Sequence, residues 1–173
     1  MTDLRFRLLG PMEMSLDGKT LALPGTAERA LLAQLLLSPG RTIPASMLID
    51  RLWAESTLPV DPMNALQIRV SKLRRSLKAS GVPDVVSREG VGYRANVEPE
   101  AVDAIDFAER VRAARASAAD SSGQDLEPGL LEARLTAYDE ALSLWRGQPL
   151  SDFSTDQWAA TEAARLTPSA SPP

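Results

Sequence analysis

Residues 64–81 read NALQIRVSKLRRSLKASG. Five of them are basic (Arg69, Lys72, Arg74, Arg75 and Lys78) and none is acidic. At about 100° per residue, Leu66, Val70, Leu73 and Leu77 fall on one narrow arc, which predicts a helix with that arc against a core. The opposite arc carries Asn64, Gln67, Ile68, Ser71, Lys72, Arg75 and Lys78, with Arg69 and Arg74 on its flanks. Asp61-Pro62 marks the start, as a capping carboxylate followed by a proline whose missing N–H is harmless in the first turn. Gly81 marks the stop.

This cationic helix sits in an acidic chain, at formal net charge −4. From Met1 to Val97 there are 13 basic and 9 acidic residues, and from Glu98 to Pro173 there are 6 and 14. The basic character therefore belongs to the first region and the acidity to the second, which predicts two domains with different partners. Length is 173 residues and 44% are hydrophobic, enough for a packed core. Cysteine and histidine are both missing, which removes thiolate nucleophiles, disulfides and the commonest neutral-pH base and metal ligand. Neither a GxxxxGK[ST] nor a GxGxxG motif occurs. An enzyme, a cofactor or a metal site is not expected. The longest apolar run, Ala30 to Leu37, is broken by Gln34, so no membrane span is expected and the start lacks a secretory pattern. A cytoplasmic protein is the expectation.

Working outward, Leu4, Phe6 and Leu8 alternate with Arg5 and Arg7, the period of a half-buried strand. Gly10-Pro11 and Asp17-Gly18 are turn dipeptides, with strands expected at 12–16 and 20–23. Thr26 is the expected cap of a first helix through AERALLAQLLL, ending near Ser38-Pro39-Gly40. Residues 41–43 are read as a connector and Pro44 as the first turn of a second helix, ASMLIDRLW, with Met47, Leu48 and Leu52 inward. After Gly81, VVSREGVGYRAN reads as a hairpin turning near Gly90 and Gly92. Beyond Val102 the pattern is helical. Asp103 is the expected cap, Phe107, Val111, Ala114 and Ala118 form a stripe, DSSGQDLEPG is a loop, and further helices are expected at 130–144 and 153–166. The ending TPSASPP reads as disordered. Trp53, Tyr93 and Trp145 are expected in the core.

The fold class this order predicts is α+β: a winged helix-turn-helix with an N-terminal small antiparallel sheet, three helices and a β-hairpin wing. An all-α helical segment follows. The physical reason for the positive face would be a polyanion. The major groove of DNA admits a helix, and its phosphates attract lysine and arginine.

The segments FRLLGPMEMSLDG, ERALLAQLLLSPGRTIP, LIDRLW, NALQIRVSKLRRSL and GVGYR resemble the OmpR/PhoB-type winged-helix domain. More closely, they resemble the version in Streptomyces antibiotic regulatory proteins (SARP) and AfsR-like regulators. AIDFAERVRAAR and TAYDEALSLWRGQPLSDF resemble the start of the bacterial transcriptional activator domain, built of helix pairs similar to tetratricopeptide (TPR) repeats. In that likeness Tyr138, Ala141, Leu142 and Leu144 occupy packing positions. The resemblance implies residues 1–97 as the DNA-binding domain, 98–166 as a partial TPR-like activator domain, and 167–173 as a disordered tail. It implies an activator of a biosynthetic gene cluster that binds direct repeats of double-stranded DNA near a promoter, in tandem or as a homodimer. Such a protein recruits RNA polymerase holoenzyme, here through the loop Glu55–Asp61.

Carried onto this chain, the recognition pattern falls on Asn64, Gln67, Ile68, Ser71, Lys72, Arg74 and Arg75. Gln67, Ile68 and Ser71 are expected at base edges, and Lys72, Arg74 and Arg75 at phosphates. In the hairpin, many relatives of the response-regulator type carry arginine directly before Gly-x-Gly-Tyr. This chain has Glu89 there, so Arg88 and Arg94 are expected to reach only the DNA backbone. The family's activator domain is longer than the piece that ends near Leu166. That piece is too small to be stable alone and should pack on the first domain, pair or stay loose. A shortened interaction module that antagonises a full-length regulator, by occupying its DNA sites or pairing with it, is the alternative.

Overall fold

Alternation along the first strand puts Phe6 inside and the arginines beside it outside. In the computed structural model, which describes residues 2–119 and 128–167, that strand opens a three-stranded antiparallel meander. Its strands are β1 (Leu4–Arg7), β2 (Glu13–Leu16) and β3 (Lys19–Thr20). Phe6 pairs with Met14, and both are buried. The β2–β3 turn is Asp17-Gly18 with both φ positive, 50° and 79°, the geometry that suits the right-handed twist of a tight hairpin.

Helix α1 (Thr26–Leu36) is apolar nearly all round and buried along most of its length. Thr26 is its first residue rather than its cap; Gly25 holds the cap position and no side chain closes that end. Residues 43 and 44 are not a mere connector. They form β4 (Ile43–Pro44), which pairs with β6 (Gly92–Ala95), itself paired with β5 (Val86–Glu89). Pro44 accordingly lies in the extended region, φ −57° and ψ 140°, and precedes helix α2 (Ala45–Leu52) instead of belonging to its first turn. Gly92 is required by this second sheet. A Cβ there would stand 2.2 Å from the Ile43 carbonyl oxygen, so only glycine lets β4 approach.

The inward face of α2 is Ala45, Leu48 and Ile49, with Leu52 half-buried. Positions 45, 48, 49 and 52 share one helical stripe, which leaves Met47 on the far side, 43% exposed. Helix α3 (Pro62–Ala79) buries Leu66, Val70, Leu73 and Leu77, as the wheel predicts. It stops where Gly81 takes φ +82°.

Helices α4 (Asp103–Ala119), α5 (Pro128–Leu142) and α6 (Gln157–Leu166) complete the described chain. The expected loop 120–129 lies mostly outside the described residues, and Pro128 and Gly129 already open α5. The expected tail 167–173 also lies outside them, except Thr167, whose N–H donates to the Ala163 carbonyl. The side chain of Ala118 is outside them too; of its expected stripe, Phe107 and Ala114 are buried and Val111 half-buried. The stretch before α6 is a 3-10 turn at Ser151–Phe153, not helix. Helix α5 ends at Leu142, which is 53% exposed and does not take its expected packing role; Ala141 is buried, Leu144 just past the helix packs half-buried against the core, and Tyr138 is half-buried.

The helical segment packs on the winged-helix unit through one continuous core, which runs from Phe6, Leu31 and Leu73 to Val102, Phe107, Phe153 and Trp158. Backbone bonds stitch the seam. Phe6 forms a parallel bridge with Val102, and Arg146 N–H and Leu150 N–H donate to the carbonyls of Leu9 and Leu8, both at 2.8 Å. Asp103, expected as a cap, is 8% exposed and turns its carboxylate onto the N–H groups of Leu8 and Leu9. Tyr93 is buried; Trp145 is half-buried and meets Phe107 edge-on at 5.4 Å. Among the described residues no helix is long and apolar enough to cross a membrane.

Candidate nucleic-acid interface

The start of α3 is fixed by its own sequence. The Asp61 carboxylate accepts the Asn64 backbone N–H at 3.0 Å, and Pro62 occupies the first turn. That cap sets the helix rotation, and the leucine stripe then locks the opposite face outward. Asn64, Gln67, Ile68, Ser71, Lys72, Arg75 and Lys78 are all exposed along it. Ile68 is an apolar residue half-open to solvent, at 49%. Lys72, Arg75 and Lys78 make no ion pair among the described residues, so no described side chain neutralises their charge.

The two flanking arginines are engaged. The Arg69 guanidinium lies over the Trp53 ring, 4.2 Å from its centroid. Burial pulls its pKa below the ordinary arginine value, with Glu28 acting the other way; a guanidinium stays charged regardless. Arg69 therefore ties α3 to the end of α2 and is not part of the free cationic face. Arg74 is exposed, yet its Nε donates to the Val86 carbonyl at 3.0 Å, which joins α3 to the first wing strand. The rest of its guanidinium remains available at the helix–wing junction.

The wing is the β5–β6 hairpin. Gly90 turns it with φ +56°, and Val91 stands at the tip, 82% exposed. Arg88 is exposed and makes no ion pair among the described residues. Arg94 is not free. It pairs with Glu89 at 2.8 Å, and its Nε donates to Asn96 Oδ1 at 2.9 Å. Glu89 also accepts from the Thr42 hydroxyl at 3.3 Å. An exposed pair of this kind contributes little, so a phosphate could displace the carboxylate.

The structure thus gathers Asn64, Gln67, Ile68, Ser71, Lys72 and Arg75 on one strip, with Arg74 at its junction with the wing and Arg88 and Arg94 on the wing itself. Sequence reading missed two features. The Glu89–Arg94 pair follows from hairpin register: Glu89 opposes Gly92, which makes Arg94 its diagonal neighbour. Val91 is an apolar residue between two glycines, a signal available in the sequence. The α2–α3 loop carries further exposed apolar side chains, Leu58 at 55% and Val60 fully open, followed by Met63 at 46% in the first turn of α3. Among the described residues no group of three or more acids could hold a metal ion.

Comparison with known proteins bears on this arrangement. Residues 18–95 match the family described as "Transcriptional regulatory protein, C terminal", and residues 102–170 match the bacterial transcriptional activator domain. The chain is 38% identical over 163 residues to the regulatory protein AfsR of Streptomyces coelicolor, covering 94% of this chain and 15% of that protein. It is 30% identical to the transcriptional regulatory protein EmbR of Mycobacterium tuberculosis over 166 residues, 94% of this chain and 40% of that one. For the regulatory protein DnrI of Streptomyces peucetius the identity is 26% over 170 residues, with 94% and 59% covered. Among solved structures, Mycobacterium tuberculosis EmbR in complex with a low-affinity phosphopeptide superposes with TM-score 0.79 at 30% identity, covering 96% of this chain and 42% of that one. The chain therefore spans between about a seventh and three-fifths of the length of these relatives.

Proposed function

The chain belongs to the SARP/AfsR-like family of regulators, in which a winged helix is joined to a bacterial transcriptional activator domain, and on that premise we propose that it is a sequence-specific DNA-binding regulator that activates transcription. Residues 1–97 would form the DNA-binding unit and 98–166 a partial activator unit. The observation that carries the reading is the outer face of α3, where exposed polar side chains and unpaired cations run from Asn64 to Lys78 without one acid.

In this reading α3 lies in the major groove. Gln67, Ile68 and Ser71 meet base edges, with Asn64 beside them on the same strip, since an amide and a hydroxyl match the donors and acceptors that the groove displays, and Ile68 suits a thymine methyl. Lys72, Arg74 and Arg75 neutralise phosphates, and Arg88 with Arg94 extends that grip along the wing. The site would be a direct repeat near the promoter of a biosynthetic gene cluster, bound by tandem copies or a homodimer. The exposed apolar side chains of Leu58 and Val60 support the α2–α3 loop as the part that meets RNA polymerase holoenzyme.

Selection of bound duplexes from a random pool tests this, followed by titration of the winner and of scrambled DNA at two salt concentrations. Enrichment of a direct repeat spaced by about one helical turn is the expected result. Weak, salt-sensitive binding with no enriched motif would overturn it. A promoter–reporter assay then checks the sign, with raised output expected from an activator.

A further inference from the structure

Only six basic residues lie in the acidic region from Glu98 onward. Three of them, Arg112, Arg115 and Arg165, line one cleft of about 380 Å3 between α4 and the end of α6. Its other walls include Phe107, Val111 and Leu166. Phe107, Val111 and Arg115 recur every four residues down one face of α4, so an apolar track ends in a guanidinium. Among the described residues Arg115 has no ion-pair partner. Arg112 pairs with Glu109, and Arg165 with Glu162 at 3.4 Å, but both arginine side chains are more than 70% exposed, which makes these pairs easy to exchange. Of the three cleft arginines, Arg115 is the one with no carboxylate against it among the described residues, which leaves one uncompensated positive charge at the cleft. That balance suits a monoanion better than a dianion, and arginine forks match a carboxylate. The volume falls in the range of small-molecule sites, at its lower end.

We propose that this cleft binds a small carboxylate with a short apolar tail, the head on Arg115 and Arg165 and the tail along Phe107, Val111 and Leu166. Occupancy reaches the winged helix through Glu162. That carboxylate lies between Arg165 and Arg51 of α2, 3.8 Å from the latter. A bound head group competes for Arg165 and leaves Glu162 to Arg51, which tightens the α6–α2 contact. The site stands whether or not α3 binds DNA.

The test is an NMR titration of the whole 173-residue chain with octanoate, with octanamide as the uncharged control. Octanoate should give saturable shifts at Phe107, Val111 and Leu166, and octanamide none at the same concentrations. Arg115→Ala should weaken octanoate binding about tenfold, the loss of one charge-assisted contact, and Arg115→Lys should recover part of it. Arg115 is exposed and has no ion-pair partner among the described residues, so an unchanged melting temperature in both variants separates lost binding from lost fold. The Arg51 Nε–H resonance should move with octanoate in the native chain and stay still in Glu162→Gln. Equal binding of octanamide, undiminished binding in Arg115→Ala, or shifts scattered away from the cleft would overturn the site. An Arg51 resonance indifferent to octanoate would overturn the link to α2.

Discussion

The Asp103 carboxylate accepts the Leu8 backbone N–H at 2.6 Å and, through its second oxygen, the Leu9 N–H at 3.2 Å. All three residues are buried. One acid at the head of α4 thus satisfies the two donors that β1 leaves free as it ends, and it holds the helical segment to the first sheet. Burial pushes the Asp103 pKa above its ordinary value of 3.8, while the N–H groups of Leu8 and Leu9 and the charge of Arg146 act against that shift.

Removing this acceptor should therefore cost more than a surface change. Asp103→Ala leaves two buried N–H groups unpaired and should lower unfolding stability by about 2–4 kcal/mol, measured by urea denaturation. The pH dependence has a definite sign. With the folded pKa raised, the folded state holds the proton more tightly than the unfolded chain. The contribution of Asp103 is then fully present below pH 3.8 and declines as pH rises through the folded value. Asp103→Asn carries no such titration. The stability difference, native minus Asp103→Asn, should be most favourable to the native chain at acid pH and shrink toward neutrality. A difference growing with pH would mean that the carboxylate is preferred charged.

Two substitutions on α3 separate reading from gripping. Arg75 stands among unpaired cations on the exposed face, so Arg75→Ala should weaken every DNA sequence alike and flatten the log–log salt dependence by about one unit. Gln67→Ala should relax preference at one or two base pairs, at about 1–3 kcal/mol against the selected site, with the salt slope unchanged. Fluorescence anisotropy on selected and scrambled duplexes at several salt concentrations reads both. Equal losses on both duplexes for Gln67→Ala, or a loss confined to one base for Arg75→Ala, would reverse the assigned roles.

How much of this was legible in the sequence depended on how local each signal was. Helix α3 was legible throughout, because its cap, its stop and its four-residue leucine period all lie within its own length. The strip from Asn64 to Arg75 follows from that period alone. Residues 43 and 44 were not legible as a strand, since β4 is two residues long and exists only by pairing with β6, far along the chain. Arg69 is a flank residue on the wheel, and only the position of Trp53 decides that it turns away from the free face. Asp103 followed the capping rule in sequence, but tertiary packing offered it better donors at Leu8 and Leu9. The Arg94 charge read as available because its partner, Glu89, is set by hairpin register.

That last pair makes a prediction of its own. Glu89 holds Arg94 at 2.8 Å and faces the same solvent as the wing cations. Glu89→Gln removes a negative charge from the wing and frees the guanidinium. DNA affinity should rise on selected and scrambled duplexes alike, because Arg94 no longer exchanges a carboxylate for a phosphate and the wing carries one negative charge fewer. Loss of affinity in the same titration would mean that Glu89 positions Arg94 for DNA rather than withholding it.

Gln34 sits in the middle of α1, 1% exposed, and neither its Nε2 nor its Oε1 has a hydrogen-bond partner among the described residues. Its neighbours in sequence, Leu31, Leu32, Leu35 and Leu36, are fully buried, so the amide lies within the buried part of α1. A buried amide without partners has given up its water and gained nothing in return. Methionine has a similar length and flexible stem, fits without overpacking, and carries no group that needs a donor. Gln34→Met should therefore raise unfolding stability by about 1–2 kcal/mol at an unchanged urea m-value. Gln34→Glu, which places a charge in the same space, should lower it. A destabilised Gln34→Met would show that the amide is held by polar partners in solution and that its burial is matched rather than strained.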